Sequence, residues 1–281
     1  DAPADVVDKV KVMSWNVRLF DLYNWTHSSQ TREEILQTIR LEDPDILCLQ
    51  EFLNERKSPS PVRQQLLHDY RFIACADEYT AHTKYGHDFG IATYSTHPIV
   101  AKGAIQFPDD LNNLCLWSDI VVGHDTVRVY NGHLASIRFG DMDYRFMKDV
   151  VNGEGTDSIG SAGPRIMDRL KNAFIRRAKE VERITAHMRT SPHPVIWCGD
   201  LNDTPMSYSY NTLRDAGLED AFVESGEGIG HTYIGAFPSF RIDHILHSEA
   251  LRAWDLRTQP EELSDHRAIS AWIGLVDKGA E

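Results

Sequence analysis

The sequence predicts an α/β protein, because strand-like and helix-like patterns alternate along its 281 residues. Compact apolar runs of strand length recur at intervals, and one long amphipathic stretch has the spacing of a helix. Hydrophobic residues make up 42% of the chain, which is ordinary for a globular protein. Disordered, collagen-like and coiled-coil chains are thereby excluded.

The elements are predicted in chain order from local patterns. Residues 10–15 alternate between two faces and predict a first strand, and Thr31 and Glu34 form a capping box that opens a short helix. Apolar residues from Ile166 to Met188, including Phe174, recur on one face of a long helix, whose ordinary role is core packing. The other predicted strands cover residues 45–50, 89–94, 116–122, 126–131, 194–198, 241–246 and 268–273.

One domain over residues 1–281 is predicted, with residues 1–9 as a flexible N-terminal tail. The glycine-rich stretch 152–164 is the candidate linker. We interpret it as a loop, because the polar motifs described below lie on both sides of it and have to converge. No apolar stretch approaches the roughly 18 residues that a membrane-spanning helix needs.

Charge and cysteine content narrow the possible functions. The formal net charge of −13 disfavours broad contact with nucleic-acid phosphates, which relies on clustered Lys and Arg. A small phosphorylated substrate stays open, because a bound divalent metal supplies local positive charge. The cysteines are far apart without metal-type spacing, and we predict reduced core residues at Cys48, Cys75, Cys115 and Cys198.

Polar residues that can bind a metal or move a proton recur where predicted strands end. Because α/β folds place their sites at strand ends, we expect these side chains to converge. A further segment buries Asp243 within an apolar strand, which is costly unless the carboxylate has a hydrogen-bonded partner. The strand-end segments are Ser14-Trp15-Asn16, Leu49-Gln50-Glu51, His87-Asp88-Phe89, Asn131-Gly132-His133, Gly199-Asp200-Leu201-Asn202 and Ser264-Asp265-His266.

Each segment also has an ordinary structural explanation when it is taken alone. Asn16 is compatible with a turn cap, Asp88 with a solvated loop carboxylate and His133 with a hydrogen-bonded structural histidine. Asp200 and Asn202 are compatible with a turn-forming pair. The functional argument therefore depends on the ordered set.

In this order, the segments resemble the endonuclease/exonuclease/phosphatase superfamily, the DNase I-like phosphohydrolases. The resemblance runs from Trp15 to His266. It implies a DNase I-like four-layer α/β sandwich, in which two packed mixed β-sheets are flanked by helices, and Mg²⁺ or Mn²⁺ as cofactor. The motifs are Trp15-Asn16, Leu49-Gln50-Glu51, Asn131-x-His133, Gly199-Asp200-x-Asn202, Arg241-Ile242-Asp243-x-Ile245 and Ser264-Asp265-His266.

The resemblance also implies a metal site and a nucleophile. Glu51, Asn16 and Asp265 would hold the metal, and oxygen ligands of this kind suit hard cations. Asp200 would orient or deprotonate the attacking water, and Asn202 would hold that water.

Two histidines are implied to flank the phosphate. They are His133 and His266, and a histidine in this role works best when a carboxylate fixes its tautomer and favours its charged form. Asp243 is the implied partner of His266, and Asp88 is the implied partner of His133. The implied substrate-binding residues are Asn131 and Arg18.

Differences between this sequence and branches of the superfamily indicate the substrate class. Arg18 stands where some members have an acidic residue, so a ligand role at that position is in doubt. The inositol-phosphatase branch has a Pro-Trp-Cys run where this chain has Pro238-Ser239-Phe240, and the abasic-site endonucleases lack an equivalent of His133. The chain is thus nearer the DNase, sphingomyelinase and deadenylase-like members. Its expected substrate is a phosphorylated small molecule, a lipid head group or a nucleic acid.

Three neighbouring features are candidates for selectivity. The stretch 136–164 directly follows His133 and is either a substrate determinant or a solvated loop; it contains Arg138, Asp141, Asp143, Tyr144 and Arg145. Tyr23 and Trp25 either stack on a base or head group or simply pack. The long helix carries a local basic group of Arg176, Arg177, Lys179 and Arg183.

The sequence therefore predicts a Mg²⁺- or Mn²⁺-dependent phosphoric-ester hydrolase, in the first place a phosphodiesterase with in-line attack by a metal- and Asp200-oriented water. The alternative is a catalytically silent binding or scaffold protein on the same fold. The presence of Glu51, His133, Asp200 and His266 favours the enzyme.

A monomer without a stable protein partner is expected, and the compartment stays open. The chain begins with Asp1, which we interpret as processing or trimming. Because relatives with an export or anchoring segment before the catalytic domain are known, export or envelope association is one expectation.

Overall fold

Two six-stranded β-sheets pack face to face in the computed structural model, which describes residues 2–137, 159–235 and 239–277. Strands are numbered in chain order. The first sheet contains, in spatial order, Leu251–Thr258 (β11), Ile269–Val276 (β12), Val6–Asn16 (β1), Ile46–Glu55 (β2), His87–Ser95 (β4) and Ala74–His82 (β3). The second contains Ile99–Gln106 (β5), Leu114–Val122 (β6), Asp125–His133 (β7), Val195–Asp200 (β8), Asp243–Ser248 (β10) and Leu218–Asp220 (β9).

Each sheet is mixed, and helices flank the pair. The pairs β1–β2 and β7–β8 are parallel, whereas their neighbours pair antiparallel. No helix in the described residues combines the length and apolar character that crossing a membrane requires. The helices are Thr31–Glu42 (α1), Val62–His68 (α2), Ile159–Met188 (α3), Tyr208–Asp215 (α4) and Ala221–Ser225 (α5).

One core lies between the sheets, and helices cover the two outer faces. In β2, Ile46 and Cys48 lie between the sheets, while Leu47 and Leu49 pack with the apolar residues of α1 and α2. Trp197 of β8 packs with α3 and α4 on the other side. Burying a side chain such as Leu47 is worth roughly 1.5–3 kcal/mol. The predicted four-layer α/β sandwich is confirmed.

All four cysteines are free thiols, as reduced residues would be. Cys48, Cys115 and Cys198 are buried, and Cys75 is half-buried.

The first strand begins earlier than predicted. Val6, Val7 and Lys9 already pair with β12, across a bulge between Val7 and Lys9. The prediction of a flexible tail over residues 1–9 is therefore wrong from residue 6 onward, because ladder hydrogen bonds hold this segment.

Helix α1 forms without the predicted capping box. Its first helical residue is Thr31, and Gln30 is the N-cap, without a side-chain hydrogen bond to the helix. The Thr31 hydroxyl donates instead to the Ser28 carbonyl at 3.3 Å. The helix thus starts one residue before the capping pattern places it.

The glycine-rich stretch is partly helical. Helix α3 begins at Ile159 and contains Pro164, so the interpretation of residues 152–164 as a loop is wrong for residues 159–164. The residues of the predicted selectivity loop that lie outside the described part of the chain are Arg138, Asp141, Asp143, Tyr144 and Arg145.

Candidate active site

Strand pairing brings the motif residues to one edge of the sandwich. In the second sheet, His133 stands opposite Asp200 in the parallel pair β7–β8, and Asp243 stands opposite Asp200 in the antiparallel pair β8–β10. In the first sheet, Asn16 stands opposite Gln50. The register therefore places a histidine and two carboxylates side by side on three neighbouring strands.

Two glycines allow the strands that carry His133 and Asp200 to approach closely. Gly132 and Gly199 face each other in the β7–β8 register. A Cβ atom on Gly199 would lie 2.0 Å from the Gly132 carbonyl oxygen, and one on Gly132 would lie 2.1 Å from the Trp197 ring. The glycine before each functional residue is thus required by packing.

Asp200 lies at the centre of the site and is almost completely buried. Its Oδ2 accepts hydrogen bonds from the side-chain amides of Asn16 and Asn202, each at 3.2 Å. The Nε2 atoms of His133 and His266 lie 3.6 and 3.7 Å from the same oxygen. Burial raises the pKa of Asp200 to about 6, against the opposing effect of His266. The carboxylate is therefore ionised at neutral pH and is a better base than an ordinary aspartate.

Asp243 and His266 form a buried pair, which is the pairing that the resemblance implies. His266 Nδ1 lies 2.8 Å from Asp243 Oδ2. Burial acts to lower the pKa of His266, but the charges of Asp243 and Asp200 outweigh it and raise the pKa to about 10. The Trp15 indole donates to the His266 carbonyl at 2.9 Å and fixes this segment to β1. His266 is thus held as an imidazolium whose Nε2 faces Asp200.

Glu51 lies at a bulge in β2 and faces a cavity. The bulge interrupts the pairing with β4 between Leu49 and Phe52, and Glu51 has a left-handed φ of 47°. Its Oε1 accepts from Asn16 Nδ2 at 3.1 Å and lies 4.0 Å from His133 Nε2. The cavity has a volume of about 380 Å³; Glu51, His133, Asn112 and Asn113 are among its lining residues.

A left-handed turn positions Arg18 beside this group. The residues Arg18–Asp21 have φ between 42° and 57°, a conformation that costs roughly 1–2 kcal/mol per non-glycine residue. Burial of Phe20 helps to offset this strain. Arg18 Nε lies 3.5 Å from Asp265 Oδ2, and its guanidinium stacks 4.2 Å above the Trp25 ring. Trp25 therefore packs on Arg18, which in turn holds Asp265.

Asp88 is not brought to His133, so the predicted pair does not form. In the antiparallel β2–β4 register Asp88 stands opposite Asn54, beyond the bulge that carries Glu51. Its Oδ1 lies 2.7 Å from His82 Nδ1 and 2.9 Å from Arg56 Nε, and its Oδ2 accepts from Asn54. Asp88 is thus engaged by Asn54 and His82 of its own sheet and by Arg56, which directly follows β2.

Asn131 joins the two sheets instead of facing the cavity, which corrects its predicted contact with substrate. The side chain is completely buried. Its Nδ2 donates to the Ala92 carbonyl at 2.9 Å and to the Thr93 hydroxyl at 3.2 Å, and its Oδ1 accepts from Gln50 at 2.7 Å. These partners belong to β2 and β4, so Asn131 of β7 fixes the distance between the sheets.

The acidic residues at this edge fit a hard divalent cation. The side chains of Glu51 and Asp265 are 35% and 22% exposed, so both carboxylates are open to an ion, and oxygen ligands are those that Mg²⁺ and Mn²⁺ prefer. Ligating atoms of Asp200, Asp243 and His266 also lie within 4.8 Å of one another, but His266 is held as an imidazolium and has no lone pair for a metal. Asn16 turns its amide nitrogen towards Glu51, so its role as a metal ligand stays a prediction.

The sequence profile described as the Endonuclease/Exonuclease/phosphatase family matches residues 13–266. The chain belongs to this family. Family members are phosphoester hydrolases and are generally dependent on divalent metals. The resemblance predicted from the motifs is thereby confirmed. No curated protein sequence matches the chain.

Solved structures show the same fold at low sequence identity. An endonuclease/exonuclease/phosphatase from Beutenbergia cavernae is 18% identical with a TM-score of 0.69, over 96% of this chain and 72% of that one. The human Nocturnin catalytic domain with bound sulfate anion is 17% identical with a TM-score of 0.65, over 97% of both chains. Truncated TDP2 from Caenorhabditis elegans is 17% identical with a TM-score of 0.60, over 95% of this chain and 98% of that one.

A buried network that the sequence reasoning missed holds the backbone after His133. Arg177 of α3 is completely buried, donates to the Ala135 carbonyl at 2.8 Å and lies 3.0 Å from Asp203. Glu180 accepts from the Ala135 amide at 2.8 Å. Arg177 and Glu180 stand among the apolar positions of the helix, and charged residues at such positions could have indicated this network. The helix layer thus fixes the backbone beside the candidate active site.

Three of the four residues in the predicted basic group on α3 are buried or have an acidic neighbour, and the fourth, Arg183, is exposed. Arg177 is buried in the network described above, Lys179 Nζ lies 2.7 Å from Asp109, and Arg176 lies 3.8 Å from Asp110. These acidic partners reduce the attraction that the helix exerts on nucleic-acid phosphates.

A buried histidine next to Asp243 is expected to make stability depend on pH. Burial and the adjacent Arg241 lower the pKa of His244 to about 4, so the native state resists protonation that the unfolded chain accepts below about 6.5. His244 therefore contributes stability that is complete above pH 6.5 and is lost as the pH falls towards 4. Between pH 6.5 and 4, the free energy of unfolding measured with urea should fall by up to about 3 kcal/mol more in the wild type than in His244→Gln. Parallel pH profiles of the two proteins would contradict this assignment.

Proposed function

We propose that the protein is a metal-dependent phosphodiesterase in which Asp200 activates a water molecule for in-line attack on phosphorus. The observation that carries the proposal is the placement of the buried Asp200 carboxylate between the Nε2 atoms of His133 and His266, at 3.6 and 3.7 Å. A base between two phosphate-binding groups is the arrangement that such an attack needs. Asn202 supports it by fixing the carboxylate through its backbone amide at 2.7 Å.

The two histidines have different chemical roles in this proposal. His266, charged through its pair with Asp243, faces the space beside Asp200 and stabilises negative charge on a phosphoryl oxygen there. His133 lines the cavity next to Glu51, where its Nε2 is within reach of a substrate oxygen. The leaving oxygen would take its proton from one of these nitrogens.

A divalent cation, when bound, would neutralise charge that develops on the phosphoryl and leaving oxygens. Glu51 and Asp265 would hold it through carboxylate oxygens, with Asn16 as a further candidate. Asn16 Nδ2 links Glu51 to Asp200 in the structure, so the cation-binding and water-activating carboxylates are fixed relative to each other.

The substrate class that we propose is a small phosphodiester, such as a lipid head group or a short oligonucleotide. The cavity of about 380 Å³ is large enough for a head group or for one nucleotide of an oligonucleotide. The net charge of −13 and the acid-paired cations of α3 weigh against extended contact with duplex nucleic acid.

Metal removal tests the proposed function. Hydrolysis of bis(p-nitrophenyl) phosphate is expected with Mg²⁺ or Mn²⁺ and not with EDTA. Glu51→Gln keeps the side-chain volume but removes a charged oxygen ligand, so it should need about 10- to 100-fold more metal for half-maximal rate. The exposed Glu249→Gln is the matched control and should behave as the wild type.

Two results would contradict the proposal. Hydrolysis that is unaffected by EDTA would exclude metal dependence. Metal binding without hydrolysis of this compound or of nucleotide and head-group diesters would favour the scaffold alternative.

A further inference from the structure

A second group of metal-ligating side chains lies where β9, β10 and α5 meet. Glu219 of β9 stands directly opposite His247 of β10, and Glu224 belongs to α5. Ligating atoms of the three side chains lie within 4.8 Å of one another. His247 is four residues beyond Asp243 along β10, or about 13 Å at the usual rise of a strand, so this group is separate from the catalytic edge.

The His247 ring is oriented like that of a metal ligand. Its Nδ1 lies 3.1 Å from the Ser248 carbonyl, which fixes the proton on Nδ1 and leaves a lone pair on Nε2. The side chain is completely buried, and Nε2 makes no hydrogen bond within the described structure. Glu224 Oε1 is 3.0 Å from Nε2, yet the contact lacks hydrogen-bond alignment. A buried lone pair without a donor favours a bound cation.

The two carboxylates complete the group. Glu224 Oε2 accepts from the Ala253 amide at 3.1 Å, which orients the side chain and leaves Oε1 towards His247. Glu219 lies opposite His247 in the strand pairing and supplies the second carboxylate of the group. A cation between the two carboxylates would neutralise their negative charges.

We propose that Glu219, Glu224 and His247 bind a divalent transition-metal ion, for which Zn²⁺ is the best match. One imidazole nitrogen and two carboxylate oxygens suit Zn²⁺, whereas Mg²⁺ and Ca²⁺ prefer oxygen ligands alone. Two atoms bound tetrahedrally to one Zn²⁺ at about 2.0–2.2 Å lie about 3.3–3.6 Å apart, so Nε2 and Oε1, which are 3.0 Å apart, would move by a few tenths of an ångström on binding. The ion would join two strands and a helix, a structural role independent of the proposed hydrolysis.

Zinc binding to the chelator-treated protein tests this site. Wild-type protein, Glu224→Gln and His247→Gln are compared for bound Zn²⁺ by equilibrium dialysis, for Co²⁺ absorption in the visible range, and for the rise in Tm that Zn²⁺ produces. The wild type should bind one ion more than either variant, or bind it at least about 10-fold more tightly. The exposed Glu227→Gln on the following loop is the matched control and should behave as the wild type.

The comparison separates this site from the Asp200 edge, because both variants keep Glu51, Asp200 and Asp265. Equal Zn²⁺ stoichiometry, affinity and Tm shift in wild type and Glu224→Gln would overturn the proposal. If His247→Gln does not fold, Glu224→Gln still decides the question, because Glu224 is at the surface and the substitution keeps its volume. Hydrolysis of bis(p-nitrophenyl) phosphate with Mg²⁺ should be unchanged in Glu224→Gln.

Discussion

Replacing Asp200 with asparagine is expected to lower kcat for phosphodiester hydrolysis by about 10²- to 10⁴-fold, the usual contribution of a positioned general base. The amide cannot accept a proton from water at neutral pH, whereas the carboxylate of raised pKa can. The variant also loses the negative charge that supports the imidazolium of His266. Both effects act on the reacting groups, so KM should change much less than kcat.

The control for this variant is Asp215→Asn, an exposed substitution of the same type at the end of α4. Steady-state kinetics with bis(p-nitrophenyl) phosphate at saturating Mg²⁺ measure both proteins. Far-ultraviolet circular dichroism and Tm show whether the fold is kept. A folded Asp200→Asn enzyme with more than a tenth of wild-type kcat would exclude Asp200 as the base.

The convergence of the catalytic edge was predictable because its strands are buried on both faces. Every residue of β8 is buried, so the strand reads as an apolar run that stops where Asp200 begins the polar segment. The same pattern marks β2 before Glu51. Because α/β folds bring such strand ends together, this convergence can be predicted without knowing the register of the strands.

The direction in which each polar side chain points was not predictable. Asp88 and Asn131 have the residue types of a site, but the β2–β4 register takes Asp88 away from His133. The packing of one sheet on the other turns Asn131 into a link between them. These outcomes depend on non-local pairing, which residue type and spacing do not encode.

Secondary-structure elements whose hydrophobic residues show no clear periodicity were also missed or wrongly oriented. Strand β5 lies at a sheet edge, with Val100, Ala101 and Lys102 in succession on the surface, so it shows no alternation of apolar and polar residues. Helix α3 was predicted with Phe174 on its buried face, but Phe174 is 50% exposed and Arg177 is buried. The apolar pattern could not reveal which face of the helix is buried at this point. Arg177 is accommodated in the interior by its hydrogen bonds to Ala135 and Asp203, and not by apolar contacts.

Asp243→Asn is expected to give the second large effect, although Asp243 acts through His266 and is therefore a positioning residue. Removing one partner of a buried ion pair costs about 3–5 kcal/mol in the free energy of unfolding. Without the Asp243 charge, burial would lower the pKa of His266, and the ring would become neutral at neutral pH. A neutral His266 stabilises phosphoryl charge poorly, so kcat should fall by about 10²-fold or more.

A spectroscopic measurement distinguishes this positioning role from simple loss of stability. The ¹⁵N shifts of His266 in metal-free protein at pH 8 should report a protonated ring in the wild type and a neutral ring in Asp243→Asn. Asp243→Glu restores the charge and should recover part of kcat and the protonated signal, whereas a purely structural defect would not follow the charge. A folded Asp243→Asn protein with a protonated His266 at pH 8 would show that Asp200 alone holds the imidazolium. In that case the buried pair would serve stability only, and kcat would fall no further than the loss of folded protein explains.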